Sequence, residues 1–540
     1  MIRSANPSAL LATAAALALA ACAAPTTPAP KTATMSSTAA ANPPAPAPSA
    51  APVAAPLPVP PERQTPDAAF RLQAPIAGPE PTFAPPHWKR FKLKNGLEVF
   101  LVEFHDLPLI DFNLMIKTGG AANPPDRAGL ADLTANMLDE GTKSRSALEI
   151  ADQIASLGAT LSTGGTWDAS NVSLSTLSRN LDPALAIFAD VVQNPAFDPK
   201  DFGRVRDNLL TAIARRKDSP PTVASLALTR LLYGTKHPYG WPASGADATI
   251  KKLTPADLRA FYEANYRPNN AALIVAGDTT EQALRSKLEA AFKPWHARHV
   301  GAHKLPAPLA ASGGTKIYLI DKADAPQSSI RVGLVGIERQ SPDYFPVTVM
   351  NLIFGGGFYR LDLNLREGKG WTYGARSSFD SRRTPGPFSA GGEFVAPHSA
   401  DSVAEILKEL NNIRDSDVTD AELARAKDQI IKSFPARFAT RANAAAQLAE
   451  LAVFGFPDSY VSEYTHKIAA VTKDDVRRVA RKYLDPNHLA IVVVGDRKSV
   501  EAPLAKLAPL ELRDLDGDPI AAVTPGNPPA GNPPPGNPPR

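Results

Sequence analysis

The sequence predicts an α+β fold made of two homologous domains in one chain, each a mixed sheet packed with helices. A self-comparison finds the same residue types at a constant offset of 218, which indicates an internal duplication. The matched pairs are Thr254 and Thr472, Asp257 and Asp475, Pro268 and Pro486, Asn269 and Asn487, Gly277 and Gly495, and Asp278 and Asp496. Strands and helices do not alternate regularly, as they would around a parallel sheet, so the pattern favours α+β over α/β.

Both predicted domains open and close with strands. Runs rich in Val, Ile, Leu and Phe predict strands at 98–103, 109–116 and 271–278 in the first copy and at 316–321, 329–335 and 489–496 in the second. Polar and apolar residues alternate at 171–175, which predicts one more strand. Apolar residues at helical spacing predict helices at 147–157, 183–192 and 202–216. Capping boxes predict three further helix starts, at Thr279, Ser402 and Thr419.

Proline marks the ends of the folded part. The chain has 540 residues and 54 prolines, which crowd before residue 86 and after residue 524. We therefore expect domains at 83–298 and 316–514, joined by a linker at 299–315. Residues 23–82 are rich in Ala, Pro, Thr and Ser, which predicts a disordered tether. A Gly-Asn-Pro-Pro repeat predicts a disordered tail at 515–540.

Charge gives no support for nucleic acid as a partner. The formal net charge is +4, and no Lys/Arg run is interleaved with aromatic residues.

The N-terminus predicts export. A basic start, a short apolar run and small residues before a cleavage point predict a signal peptide at residues 1–22. Its last four residues, Leu-Ala-Ala-Cys, resemble a bacterial lipobox, which implies lipidation of Cys22, the only cysteine. Because Ala23 follows, the resemblance implies an anchor in the outer membrane facing the periplasm. The alternative is a secreted protein cut near Ala21.

One predicted helix has the spacing of a metal site without its ligands. The run 129–142 reads Gly-Leu-Ala-Asp-Leu-Thr-Ala-Asn-Met-Leu-Asp-Glu-Gly-Thr. Asp132 and Asn136 share one face of this helix, and Ala135 lies beside them. These are the positions of His-x-x-Glu-His, the inverted zinc motif, in which two imidazoles hold the metal and the carboxylate activates water.

The residues around those positions resemble the zinc helix of the pitrilysin family, which includes insulinase and mitochondrial processing peptidase. In that family a Glu on a later helix is the third ligand, and Thr211 and Ala212 stand where it would be. The resemblance therefore implies that this chain has lost the three ligands and the base, and that it carries no zinc of its own.

The resemblance extends over residues 91–496. Asn95-Gly-Leu, His237-Pro-Tyr-Gly and Ala325-Pro-Gln-Ser-Ser-Ile agree with the family pattern, and the chain length agrees with its short-chain bacterial branch. It implies two pitrilysin-like domains in one chain. In relatives a strand near the equivalent of 170–176 is an edge strand that binds peptide; an ordinary solvent-facing strand is the alternative.

The second half contains the other family signature. Gly355, Gly356 and Gly357 precede Leu-Arg-Glu-Gly-Lys-Gly-Trp-Thr-Tyr, which ends at Tyr373. In relatives the Arg and Tyr of this signature, here Arg366 and Tyr373, hold the substrate near the scissile carbonyl, and the glycines let its backbone approach. The alternatives are an Arg paired with a nearby carboxylate, a core Tyr and a plain helix-ending turn.

Two other metal sites are weaker candidates. Asp132, Asn136, Asp139 and Glu140 could present oxygen ligands on one helical face, but a solvated acidic face is the alternative. His296, His299 and His303 have helix-like spacing where the first domain ends, which leaves a zinc site there as an alternative.

The leading hypothesis is a metallopeptidase-family subunit that is inactive alone. The resemblance implies that Arg366 and Tyr373 complete the zinc site of a homologous partner bearing His-x-x-Glu-His, with a peptide or unfolded polypeptide as substrate. One alternative is a non-enzymatic peptide-binding or scaffold lipoprotein of the cell envelope. The other is a self-sufficient metallopeptidase with an unrecognised metal site.

Overall fold

Two six-stranded sheets form the framework of the protein. The computed structural model describes residues 83–309 and 314–520. The strands are β1 Trp88–Lys92, β2 Glu98–Glu103, β3 Leu109–Ile116, β4 Thr160–Gly165, β5 Ser170–Leu177, β6 Ala271–Gly277, β7 Lys316–Asp321, β8 Gln327–Val335, β9 Thr372–Phe379, β10 Pro387–Val395, β11 Ala490–Gly495 and β12 Leu510–Arg513. Their order is β1-β2-β6-β3-β5-β4 in the first sheet and β12-β7-β11-β8-β10-β9 in the second.

Strand register confirms the duplication. Phe100 on β2 pairs with Ile274 on β6, and Tyr318 on β7 pairs with Val492 on β11. The residue numbers of the second pair are those of the first pair plus the repeat offset. Both of these strand pairs are parallel, whereas β3 and β8 pair with their neighbours antiparallel. The sheets are therefore mixed, and the α+β prediction is confirmed.

Sixteen α-helical segments are found in the described residues. They are α1 Leu130–Asn136, α2 Ala147–Ser156, α3 Leu181–Gln193, α4 Pro199–Arg216, α5 Pro220–Tyr233, α6 Asp247–Ile250, α7 Pro255–Asn265, α8 Glu281–Ala291, α9 Tyr344–Gly355, α10 Arg360–Asp362, α11 Ser399–Asp415, α12 Asp420–Ser433, α13 Arg441–Phe454, α14 Ser459–Ala469, α15 Lys473–Tyr483 and α16 Arg497–Leu504.

One of the three predicted helix starts is confirmed. Thr419 forms the expected capping box with Glu422 at the start of α12. The prediction for Thr279 was wrong by one residue, because the hydroxyl of Thr280 accepts the hydrogen bond from Ala283 N. The prediction for Ser402 was also wrong, since that residue is buried inside α11.

Apolar side chains join the helices of the first half to its sheet. Leu133 on α1, Phe188 on α3 and Leu273 on β6 belong to one buried cluster and have no exposed surface. Burying a side chain of this size stabilises the fold by about 2 kcal/mol. The cluster fixes α1, the helix with the metal-site spacing, against the sheet.

Each half lends one helix to the sheet of the other half. Helix α5, from the first half, packs on β8 and β11, where a Cβ on Gly333 would collide with Leu228. Helix α13, from the second half, packs across β2, β3 and β6. Residues 84–309 and 314–520 accordingly belong to one contact-defined unit.

Several predicted segments lie outside the described residues: the signal peptide at 1–22 with Cys22, the tether at 23–82 and positions 521–540 of the tail. The first residues of the predicted tail, 515–520, form a turn in which Asp514 Oδ1 accepts hydrogen bonds from the backbone nitrogens of Asp516 and Asp518, both at 2.9 Å. In the predicted linker, Leu309 N donates to Leu232 O at 3.1 Å.

Across residues 83–309 and 314–520, no helix has the length and apolar content needed to cross a bilayer.

Candidate functional site

Helix α1 is held by close packing around Gly129, the residue just before it. Gly129, which precedes it, has φ +93, a conformation that favours glycine. A Cβ there would lie 2.5 Å from Ile250 Cδ1 and 2.9 Å from Gly245 Cα. Asn123 Oδ1 accepts a hydrogen bond from Ala131 N at 2.9 Å and satisfies one of the free amides of the first turn. The Gly-Leu-Ala signature therefore has a local structural reason.

Asp132 is a half-buried carboxylate beside the first sheet. Gly165 of β4 passes so close that a Cβ on it would lie 3.2 Å from Asp132 Cα. Burial raises the pKa of Asp132 from 3.8 to about 6, although the charge of Arg216 and hydrogen bonds from Gly165 and Asn136 oppose the rise. Asn136 Nδ2 also donates to the carbonyl of Asp132 at 2.9 Å.

The other zinc-motif positions offer no ligand. Ala135 is fully buried, and Ala212 lies exposed on α4. The Thr211 hydroxyl beside it donates to Asp207 O at 2.9 Å. In the described part of the chain, no group of three or more His, Cys, Asp or Glu side chains is arranged to hold a metal. A carboxylate and an amide do not fit zinc, which takes three or four N, S or O ligands.

Arg216 is a charged neighbour of this position that was not predicted from the sequence. It lies one helical turn after Ala212 on α4, and its charge acts on Asp132. Its Nη2 donates to Ser244 Oγ at 2.6 Å and its Nη1 to Gly245 O at 3.3 Å. The i, i+4 spacing from Ala212 was the signal that could have identified it.

The predicted edge strand was assigned to the wrong residues. The strand at 170–176 is β5, which lies between β3 and β4 and is hydrogen-bonded on both sides. The edge is β4, Thr160–Gly165, which passes Asp132. An extended peptide could therefore add to the first sheet only along β4 on this side.

In the second half, Arg366 lies in a six-residue π-helical turn, Leu363–Gly368. Such turns are rare in proteins, and those that occur are often at functional sites. Arg366 Nη1 lies 3.6 Å from Asp362 Oδ2, and its Nε lies 3.5 Å from Glu367 Oε1. The Arg366 guanidinium lies 5.5 Å from the centre of the Phe358 ring. The contact with a nearby carboxylate, which was the alternative interpretation of Arg366, is present with both Glu367 and Asp362.

Tyr373 is on a bulge in the edge strand β9. Strand pairing with β10 shifts between Gly392 and Phe394, so that Tyr373 and Gly374 together face one residue of β10. A bulge of this kind redirects side chains. The Tyr373 side chain is 92% exposed, so the alternative interpretation of Tyr373 as a core residue was wrong.

The three glycines end α9 and pack against β9. Gly355 is the last helical residue, and a Cβ on it would overlap Ser377 of β9. A Cβ on Gly356 would lie 2.6 Å from Leu352 O, and one on Gly357 would lie 2.6 Å from Arg376 Nη1. The glycines thus form the predicted helix-ending turn and leave room for β9. Their role in binding substrate stays a prediction.

Asp362, which was not predicted from the sequence, connects the π-helical turn to the edge strand β9. It is fully buried and accepts hydrogen bonds from Phe358 N at 3.1 Å and from Ala375 N at 3.4 Å. Arg366 and Arg376 both lie near its Oδ2, at 3.6 and 4.0 Å. An acidic residue between two leucines in Leu-Asp-Leu was the signal that could have identified it.

The structure does not bring the predicted positions together into one site. Asp132 and Asn136 lie beside β4 of the first sheet, whereas Arg366 and Tyr373 lie at the β9 edge of the second. The three histidines near the linker do not form a metal site either. His303 Nε2 lies 3.1 Å from Asn265 Oδ1, while His296 and His299 are exposed.

Family comparisons match both halves. The model described as "Insulinase (Peptidase family M16)" matches residues 109–238, and the model described as "Peptidase M16 inactive domain" matches residues 252–430. Among curated relatives, the chain is 25% identical to an uncharacterised zinc protease of Streptomyces coelicolor, with 77% of this chain and 91% of that protein covered. It is 26% identical to one of Rickettsia bellii, with 75% and 90% covered.

The chain also matches nearly the whole length of solved structures with the same fold. A peptidase M16 inactive domain from Pseudomonas fluorescens has a TM-score of 0.70 and 28% identity, over 76% of this chain and 98% of that one. A protease from Helicobacter pylori has a TM-score of 0.68 and 21% identity, over 76% and 99%. The second likeness shows the fold alone.

Proposed function

Because the chain belongs to the M16 peptidase family, to which insulinase also belongs, we propose that it is the metal-free subunit of a two-chain zinc peptidase. In this proposal Arg366 and Tyr373 act on peptide bound at the zinc site of a homologous partner bearing His-x-x-Glu-His. The chain alone is inactive, and the only zinc of the pair is in the partner.

The residues at the zinc-motif positions support the part of the proposal in which this chain carries no metal. Asp132, Ala135, Asn136 and Ala212 offer one carboxylate and one amide where the family motif needs two imidazoles, a base and a Glu. Arg216 adds a positive charge beside Asp132, which disfavours a divalent cation there. A partner chain must then supply both the metal and the base that activates water.

The observation that carries the proposal is the exposure of Arg366 and Tyr373 on one edge of the second sheet. Arg366 is held near Asp362 with 38% of its side chain exposed, and the Tyr373 side chain is 92% exposed. A guanidinium and a phenolic O–H held at fixed positions can donate hydrogen bonds to a carbonyl oxygen that gains negative charge. Removing one such donor typically lowers kcat by about a hundredfold or more.

The proposal includes a place in the cell envelope. Lipidation of Cys22 would anchor the chain to the outer membrane facing the periplasm, and residues 23–82 would span the distance to the folded part. A partner subunit would then meet peptide or unfolded polypeptide at that surface.

A second candidate function is peptide capture without cleavage. It is favoured by two open sheet edges, β4 and β9, since an extended peptide can add a strand to either edge. In that case the chain would bind peptide, but no partner would gain proteolytic activity from it.

Reconstitution separates these functions. The full-length chain is mixed with a zinc-bearing homologue from the same genome, and cleavage of a peptide library is measured. We expect activity only in the mixture, with a loss of about a hundredfold in kcat for Arg366→Ala and Tyr373→Phe. Cleavage at the parental rate by both variants would contradict the proposal, and peptide binding without cleavage would favour capture. Arg497→Ala on α16 is the control, since the Arg497 guanidinium forms its ion pair with Glu501 on the same helix.

A further inference from the structure

Beside Arg366 and Tyr373, the structure presents a second exposed guanidinium that no family motif explains. Arg376 lies three residues after Tyr373 on β9, with 55% of its side chain exposed. Ala375 between them is fully buried. Because the bulge at Tyr373 and Gly374 breaks the alternation of the strand, Tyr373 and Arg376 are both exposed at this edge.

The geometry points to Arg376 as a specificity-determining residue that binds an acidic side chain of the peptide. This inference rests on the proposed function, because it places the peptide at the edge where Arg366 and Tyr373 lie.

The first argument is charge. Among the described residues, Asp362 is the only carboxylate within 4.0 Å of Arg376, and Arg366 shares it. Arg366 also lies 3.5 Å from Glu367, so Arg366 has two carboxylate partners, whereas Arg376 has only the shared Asp362, at 4.0 Å.

The surrounding carboxylates pair with other cations and not with Arg376. Arg425 donates to the carbonyl of Phe358 and adds a further cation. Glu422 forms an ion pair with Arg360 at 2.7 Å. Glu405 forms ion pairs with Lys369 and Lys408, both at 3.3 Å. A carboxylate on a bound peptide is the group that would pair with Arg376.

The second argument is preorganisation. Asp362 has no exposed surface and is fixed by the backbone amides of Phe358 and Ala375. The guanidinium of Arg376 lies over Gly357, where a Cβ would come within 2.6 Å of its Nη1. A side chain at position 357 would make the end of the Arg376 side chain shift from this position. Gly357 is therefore the residue that leaves room for Arg376, and Asp362 is a positioning residue for both arginines.

The test compares two peptides that differ by a single Glu-to-Gln change, scanned along the sequence on both sides of the cleaved bond. Binding to the full-length chain is measured by fluorescence anisotropy, and kcat/KM is measured after reconstitution with the zinc-bearing homologue. At one position we expect the Glu peptide to be preferred about tenfold, which is the contribution of one charge-assisted hydrogen bond. The preference should shrink at high salt.

Variants assign the preference to Arg376. Arg376→Gln should bring the Glu/Gln ratio close to one, whereas Gly357→Ala, which shifts the guanidinium, and Arg376→Lys should each lower it but keep part of it. Arg497→Gln, on a distant helix, should leave it unchanged. A ratio of one at every position in the parent would overturn the inference, and so would a ratio that Arg376→Gln does not change. If the proposed function itself is wrong, Arg366→Ala leaves peptide cleavage intact. That result concerns the cleavage rate and not the Glu/Gln ratio, so the two failures can be distinguished.

Discussion

Arg441, the first residue of α13, donates from Nε to Asp111 Oδ2 on β3 at 3.2 Å. The two residues are 330 positions apart, and both side chains are about one-fifth exposed. Ser175 donates to the other oxygen of Asp111 at 2.6 Å. This contact fixes α13, from the second half, on the sheet of the first half.

Removing this contact should destabilise the whole protein. Arg441→Ala leaves a partly buried carboxylate without its cation, and we expect the free energy of unfolding to fall by about 2 kcal/mol. Urea unfolding of the parent, Arg441→Ala, Asp111→Asn and the double variant gives the coupling energy. Arg497→Ala, which breaks only a surface pair, should cost less than about 0.5 kcal/mol. An equal loss in Arg441→Ala and Arg497→Ala would contradict the role of Arg441.

Local patterns predicted seven of the twelve strands in the described residues, and they missed β1, β4, β9, β10 and β12. The bounds of β2, β3 and β7 agree with the predicted ranges, because runs of β-branched and other large apolar residues favour a strand within a few positions. The repeat offset predicted two similar domains, because homologous sequences fold alike.

Relations between distant segments were not predictable in the same way. The apolar face of α5 shows that the helix is buried, but not that it is buried on the second sheet. The edge strand β4 has the sequence Thr-Leu-Ser-Thr-Gly-Gly, which has one large apolar residue and no β signal comparable to that of β5. Arg366 and Tyr373 were found through resemblance, whereas Asp362 and Arg376 became apparent only from distances.

Protonation of Asp132 should make stability depend on pH. Its pKa is about 6 in the folded chain against 3.8 without burial, so the folded chain holds a proton that the unfolded chain releases. The stabilisation from that proton is fully present below about pH 3.8 and is lost as the pH rises through about 6. Asp132→Asn avoids the loss, and we expect it to exceed the parent in stability by about 3 kcal/mol at most at pH 7.5.

The measurement is urea unfolding of Asp132→Asn and the parent at pH 4.0 and 7.5. The stability difference should be larger at pH 7.5. A difference that is the same at both pH values would show that the Asp132 carboxylate does not titrate in this range. Asp126→Asn is the matched control, since Asp126 is 68% exposed beside the same helix.

Metal removal should affect the pair and not the isolated chain. If the zinc is in the partner, a zinc-selective chelator leaves the Tm of this chain unchanged within about 1 °C, because no folded-state ligand is withdrawn. The same chelator should abolish peptide cleavage by the reconstituted mixture. A fall of several degrees in the Tm of the isolated chain, reversed by added zinc, would instead favour a self-sufficient metallopeptidase.

Two glycine substitutions should act in opposite directions. Gly355→Ala places a Cβ against the backbone and hydroxyl of Ser377, so either α9 or β9 must move, and we expect a loss of about 1–3 kcal/mol. Gly203→Ala, inside α4, meets nothing within 4 Å and should raise stability by about 0.5–1 kcal/mol because alanine favours the helix. Thermal unfolding of both variants checks the signs. If Gly355→Ala also stabilised the protein, the close approach between α9 and β9 could not be what positions Tyr373 and Arg376.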